Sequence, residues 1–336
     1  MKRMARDERQ GGRRGGHRAL GVALAGPLTA CNGPQSILDP AGPAAGAVNG
    51  LGWVMTGAAI VIAALVVVAT AIALGRRGGT LGSVRTVIAG GIVLPAVLLP
   101  VLLIAGLLVA RGSGATGTEP VTIRVTGEQF WWRVDYLDAA GDVALTTANE
   151  IRVPVGVPVR LILESADVIH SFWVPALGGK LDMIPGRSNA MAIEADRAGV
   201  FRGQCAEFCG DQHARMAFIV IAEEPETFGA WLAAEAAPAV AAEAAPAAGA
   251  AAFVAAGCGA CHTVRGTGAA GTIGPDLTHI GSRQTIAAGT LPNDLDSRVL
   301  WIAGAQRIKP GSRMPSFAEL PEADLRAIAT YLGTLR

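Results

Sequence analysis

Residues 51–74 and 87–110 are each 24 residues long without one charged side chain. At about 1.5 Å of helical rise per residue, either run exceeds the roughly 30 Å of bilayer hydrocarbon, so both are expected to span a membrane as helices. A hairpin over residues 51–110 confines any chemistry to what surrounds it. Arg76, Arg77 and Arg85 occupy the short connection. The positive-inside rule puts that turn in the cytoplasm and both hairpin ends outside. Pro95 and Pro100 interrupt the second run and are expected to bend it.

Only 16% of residues are charged and the mean hydropathy is +0.41, which points to several modules rather than one soluble domain. A net charge of +1 with no dense Lys/Arg stripe in any folded segment excludes broad affinity for nucleic acid. The basic excess lies in residues 1–31, where a short apolar run ends in Leu28-Thr-Ala-Cys31. This segment resembles a bacterial lipoprotein signal peptide with Cys31 as the lipidation point; the alternative is a disordered arm with a chance cysteine. A lipid on Cys31 would agree with the outside placement of the hairpin ends.

From Val121 the texture changes. Val121, Ile123 and Val125 alternate with polar residues, as do Val159, Leu161 and Leu163, and residues 218–222 form an apolar run. A Greek-key β-sandwich or barrel over 118–230 is expected. Residues 231–251 are rich in Ala, Pro and Glu, the composition of a tether with partly helical alanines. The remainder, 252–336, ends in a segment whose Leu325, Ile328, Ala329 and Leu332 share one helical face, with Pro321 suited to the first turn and Glu322 and Asp324 favouring the dipole's positive end.

Two clusters carry chemistry. Cys205, Cys209, His213 and Met216 place two thiols, an imidazole and a thioether within twelve residues. Thiolate and thioether select a soft metal such as copper, whereas zinc sites do not use methionine. Two cysteines four apart can each bridge two ions, sharing charge across both and keeping bond-length changes small in a one-electron step. A second imidazole has to come from elsewhere, and of the five histidines His170, in Asp167-Val-Ile-His170-Ser-Phe-Trp-Val-Pro175, is the natural candidate. In the other cluster, Cys258-Gly-Ala-Cys261-His262 has the spacing for covalent haem attachment, with His262 on the iron. Met314 is the only methionine after Met216 and is the candidate sixth ligand. Asp167 and Glu164 are read either as a docking patch or as solvated surface charges. Trp131, Trp132 and Tyr136 are read as β-domain core.

The pattern Cys-x-Glu-x-Cys-x-x-x-His-x-x-Met, with the segment around His170 and with Lys180-Leu-Asp-Met-Ile-Pro-Gly-Arg187, resembles subunit II of haem–copper cytochrome c oxidase from the hairpin to about residue 225. The last 85 or so residues resemble a class I cytochrome c: Phe253, the haem motif, Gly274-Pro275, Met314-Pro315 and the terminal helix. The resemblance implies a multidomain fold: a two-helix transmembrane hairpin, a cupredoxin-like Greek-key sandwich and a small all-α cytochrome c domain. It implies that His170, Cys205, Cys209, His213 and Met216 ligate a binuclear CuA centre through side chains and Glu207 through its backbone carbonyl. The Glu207 side chain would face a magnesium ion shared with subunit I, Asp182 would lie near that interface, and Arg187 would support it. Phe130 stands where many relatives place a tryptophan that receives electrons from a diffusing cytochrome c, and with Trp131 is expected near that surface. The Pro275 carbonyl would accept a hydrogen bond from His262, Trp301 would pack on the haem edge, and His279 would lie at the surface or near a propionate.

The resemblance thus implies a caa-type oxidase subunit in a bacterial cytoplasmic membrane, with both metal domains on the periplasmic side. Its partners would be subunits I and III, and a cytochrome c or cytochrome bc complex would donate electrons. Oxygen chemistry would lie in another subunit, because this chain has no histidine set for it and no ionisable residue in its spans. No carboxylate lies between Leu74 and Ala110, where relatives often carry a glutamate for proton uptake. The rival readings are a CuA-containing nitric oxide reductase subunit and a non-catalytic copper-trafficking protein. Nitrous oxide reductase is disfavoured, since it needs a second, histidine-rich copper cluster.

Overall fold

The computed structural model describes residues 33, 35–75, 84–112, 114–239 and 247–336. The segment ending at Cys31, and Arg76 and Arg77, lie outside the described residues. The first apolar run lies within helix Pro43–Gly75, about 50 Å long at helical rise. The second lies within Val84–Arg111. The two helices touch each other and otherwise expose Val, Leu and Ile side chains along their length, the surface that lipid would cover. Pro95 has no N–H, and its ring would collide with the carbonyl four residues back. The chain answers with a wider π-turn over Ala89–Val93, where the N–H of Leu94 reaches Ala89 O. Pro100 sits inside the following helix, Leu94–Arg111.

Ten strands follow in two five-stranded sheets, ordered β3-β2-β1-β5-β8 and β4-β10-β9-β6-β7. Their ranges are β1 Val121–Glu128, β2 Trp131–Leu137, β3 Val143–Ala148, β4 Glu150–Pro154, β5 Val159–Ser165, β6 His170–Trp173, β7 Lys180–Met183, β8 Asn189–Ile193, β9 Gly199–Cys205 and β10 Ala217–Glu223. The alternation anticipated in β1 and β5 is realised by parallel pairing in register, Ile123 opposite Leu161 and Val125 opposite Leu163, all four fully buried. Parallel β1·β5 and β4·β10 pairs among antiparallel neighbours produce the Greek-key sandwich. Its centre is aromatic. Trp132, Phe172 and Phe218 are fully buried, with the Phe172 and Phe218 rings stacked at 4.6 Å and Trp132 edge-on to Phe218 at 4.9 Å. Truncating one such ring to alanine costs about 3–5 kcal/mol. A Cβ at Gly203 would enter the Phe218 ring, which is why β9 carries glycine there.

The membrane helix is tied to this sandwich at its start. Ala41 N–H donates to Ala176 O (2.7 Å), Asp196 N–H donates to Ala41 O (2.8 Å), and Ala41 and Ala45 are buried.

Within 231–251, the stretch of tether composition, the described residues are helical at both ends. Helix Pro225–Ala236 packs Phe228 and Trp231 against Tyr136, and Trp231 also receives Arg152 over its ring. Helix Ala247–Ala255 packs Phe253 on Tyr331. Helices Leu295–Ile308 and Glu322–Thr334 complete the last unit. Leu325, Ile328, Ala329 and Leu332 are buried along one face, as their spacing requires.

Candidate functional site: two redox centres and the seam between them

His170 opens β6, Cys205 ends β9, and Cys209, His213 and Met216 lie on the loop that returns to β10. Sheet pairing brings together residues far apart in sequence: Phe172 pairs with Cys205, and Cys205 N–H donates to Met216 O at 2.9 Å. The donor atoms converge. The two thiol sulfurs are 3.8 Å apart, Cys205 Sγ lies 3.8 Å from His170 Nδ1, and Cys209 Sγ lies 3.7 Å from His213 Nδ1 and 3.8 Å from Met216 Sδ. The Glu207 carbonyl is 3.2 Å from Cys205 Sγ. Ligand atoms of His170, Cys205 and Cys209 lie within 4.8 Å of one another, and all three residues are buried. Packing alone rarely gathers two thiols, two imidazoles and a thioether; the set fits copper by softness.

Electrostatics agree. The hydrogen bond between the two thiols, against the burial that opposes it, holds Cys205 well below the ordinary range, while the same bond pushes Cys209 above it. A metal ion that displaces the thiol protons gains thiolate ligands.

His170 is fully buried, and its ring is fixed from two sides. Nε2 lies 2.8 Å from Asp167 Oδ1, which leaves Nδ1 for a metal. A Cβ at Gly127, on β1, would stand 2.7 Å from the ring, so the close approach requires glycine. Burial works to raise the Asp167 carboxyl, but hydrogen bonds from His170 and the N–H groups of Gln129 and Val168 outweigh it and hold the group low. Asp167 is thus the partner of His170 rather than a free docking charge; Glu164 instead pairs with Arg124 at 3.7 Å. Sequence reasoning passed over Gly127 and this role of Asp167. The one available signal was a glycine inside a strand pattern.

Asp182 and Glu207, expected at or near a magnesium site, flank one ammonium: Lys180 Nζ is 3.8 Å from Asp182 and 3.6 Å from Glu207. Arg187 is exposed in the turn after β7. Phe208 is 75% exposed on the copper-type loop, beside His213.

In the last unit, Cys258, Cys261, His262, Pro275, Trp301 and Met314 line one cavity of about 390 Å³. His262 Nδ1 donates to Pro275 O at 2.7 Å, leaving Nε2 free, and burial holds its basicity below the ordinary value. Gly274 is its Gly127: a Cβ there would lie 2.6 Å from the ring. Paired thiols, an oriented imidazole and a thioether facing one apolar hollow fit a covalently held haem. His279 is buried, with Nε2 3.1 Å from Ala237 O, and does not line the cavity.

The far wall of that cavity is built by the sandwich, from Gln129, Phe130, Trp131 and Asn149. Phe130 is 6% exposed, so the surface it would offer a diffusing donor is covered by the chain's own last unit. Trp131 also lines the cavity and carries Arg133 over its ring at 5.0 Å, while Trp132 and Tyr136 are buried core. The seam holds further bonds: Arg133 Nη2 donates to Thr272 O (2.8 Å), the buried Glu150 accepts from Gln284 N–H (2.6 Å), and Arg265 reaches Thr146 O (3.3 Å).

Comparison with known proteins agrees with this geometry. Residues 137–223 match the periplasmic domain of cytochrome c oxidase subunit II, and residues 246–336 match cytochrome c. Cytochrome c oxidase subunit 2 of Alkalihalophilus pseudofirmus is 40% identical over 221 residues, covering 66% of this chain and 63% of that one. The corresponding protein of Bacillus sp. is 30% identical over 227 residues, covering 64% and 62%. The chain thus spans somewhat under two thirds of the length of these relatives. The crystal structure of the periplasmic domain of subunit II of cytochrome oxidase of Bradyrhizobium japonicum is 36% identical, with a TM-score of 0.31 over 35% of this chain and 94% of that one. The matched domains imply CuA copper and haem c. With two long apolar helices beside them, the protein is membrane-anchored. The chain is thus similar to cytochrome c oxidase subunit II and carries, behind the domain that matches it, a second domain that matches cytochrome c on the same polypeptide.

Proposed function

We propose that the chain is the electron-transfer subunit of a proton-translocating respiratory terminal oxidase: it accepts electrons at its cytochrome c unit, 252–336, and passes them out through its CuA unit, 118–230, to haem in subunit I, where dioxygen is reduced. The observation that carries the reading is the shared cavity: the hollow holding Cys258, Cys261, His262 and Met314 is closed by Phe130 and Trp131 of the copper unit. When bound, the copper pair and the haem supply one-electron redox chemistry.

The chain's own residues set the conditions for it. Cys205, Cys209, His170 and His213 through Nδ1, Met216 and the Glu207 carbonyl would hold the copper, and burial of both cysteines keeps water from their sulfurs. Cys258 and Cys261 would attach the haem covalently, His262 and Met314 would ligate its iron, and Pro275 O fixes the imidazole. Ligation by methionine and histidine would favour the reduced state and so a high potential. The hairpin lies in the bacterial cytoplasmic membrane with both metal units on the periplasmic side, supported by the Arg-bearing connection between the two helices. Subunits I and III are the partners, and a cytochrome c or cytochrome bc complex is the donor.

Purifying the membrane complex tests this. Two coppers and one covalent haem per chain, a multi-line mixed-valence resonance signal and a haem–copper catalytic subunit are expected. A single zinc ion in the loop, or a haem extracted by acid acetone, overturns the reading. A companion subunit that reduces nitric oxide instead of oxygen redirects it.

A further inference from the structure

The chain holds only three lysines among its 28 basic residues, Lys2, Lys180 and Lys309. Lys180 is exposed, whereas Lys309 is 2% exposed and follows directly on helix Leu295–Ile308. Its backbone N–H closes that helix on Ala305 O at 2.8 Å. Its Nζ donates to Phe130 O at 2.8 Å, to Arg215 O at 2.9 Å and to Ala287 O at 3.2 Å. Burial pushes the pKa of this amine down to about 7, and its N–H groups face three carbonyls.

The positions of those carbonyls matter more than their number. Phe130 belongs to the copper unit and walls the haem cavity, Arg215 immediately precedes Met216 on the copper loop, and Ala287 belongs to the cytochrome unit. Around this point the two units interlock further. Ala217 N–H donates to Ala288 O (3.1 Å), Arg215 donates to Ile308 O, and Arg313, next to Met314, lies 3.9 Å from Asp167, the partner of His170. A buried amine whose N–H groups point at carbonyls is tolerable only while those carbonyls are in place. Moving the units apart by a few ångströms would leave the buried amine without partners, so the contact favours one register over a spread of loosely docked ones.

We propose that Lys309 is a positioning residue, an internal latch that fixes the cytochrome c unit on the copper loop and holds the haem in one orientation toward the CuA ligands. The proposal rests on the functional reading above, because it takes 205–216 as the copper loop and Met314 as a haem ligand.

Amine acetylation of the full-length protein, loaded with copper and haem and followed by mass spectrometry, tests the latch directly. Lys309 should react at least about 100-fold more slowly than Lys180, since modification has to wait for the units to separate. Equal rates overturn the proposal. Copper and haem counts on the same sample test the functional reading separately. Lys309→Met removes the amine at similar length. It should raise amide exchange in 213–217 and 129–131 by roughly tenfold and slow haem-to-copper transfer by roughly tenfold, with both spectra unchanged. Unchanged exchange and rate in a variant that retains both spectra would sink it; if the variant does not fold, the acetylation ratio decides alone.

Discussion

The copper loop and the haem cavity each seat an imidazole between a glycine and a hydrogen-bond acceptor, but they use opposite ring nitrogens and different acceptors. His170 rests on Gly127, engages Asp167 through Nε2 and frees Nδ1; His262 rests on Gly274, engages Pro275 O through Nδ1 and frees Nε2. On the copper side the acceptor is a carboxylate held ionised, which strengthens the imidazole as a donor and adds a negative charge beside the thiolates. On the haem side it is a neutral carbonyl, which orients the ring and adds no charge. Ring placement and electronic tuning are therefore separable: both sites share the first, and only the copper site adds a full charge for the second.

The largest expected effect removes a bridge. Cys209→Ser should abolish the multi-line copper signal completely while the haem absorption bands stay unchanged; a surviving multi-line signal would refute bridging by this thiol. Next come the two glycines, tested as a cross. Gly127→Ala drives a Cβ toward His170 and Gly274→Ala one toward His262, each at a strain of about 1–3 kcal/mol. The first should weaken copper binding, read by chelator competition, with the haem spectrum unaltered; the second should lower the thermal stability of the haem unit without changing copper affinity. A response at both sites to either change breaks the separation.

Asp167→Asn keeps the ring's shape but removes the charge. Copper affinity should fall by about tenfold and the copper potential should rise, because an oxidised centre loses more than a reduced one when a nearby anion is removed. An unchanged potential would reduce Asp167 to the orienting role that Pro275 plays. Met216→Leu should have the smallest effect, leaving copper bound and moving its potential upward in redox titration, since a weak ligand tunes rather than anchors. Loss of copper from this variant would make Met216 an anchor.

Much of this was legible along the chain. The two apolar runs, the β1 and β5 alternation, the thiol spacing of the copper loop and the Cys-x-x-Cys-His segment are local patterns, and each falls where its period or spacing puts it. What escaped depends on contacts between distant residues. Gly127 serves His170 from another strand of the opposite sheet, and Lys309 bonds a carbonyl 179 positions away. No periodicity encodes such pairs. The π-turn before Pro95 escaped for a different reason: proline announces a defect, but sequence does not say whether the helix answers by kinking or widening. Asp167, legible only as a charge, acquired its role when β6 brought His170 beside it.

The account stands on the two centres forming one docked unit, and photoreduction of the haem in the full-length, fully loaded protein tests that most directly. Copper reduction should follow as a single exponential, at a rate independent of protein concentration and unchanged between low and 1 M salt, because the seam is buried rather than steered by exposed charge. A rate that scales with protein concentration, or collapses in salt, would mean that the units meet by diffusion and that the shared cavity is not the working arrangement.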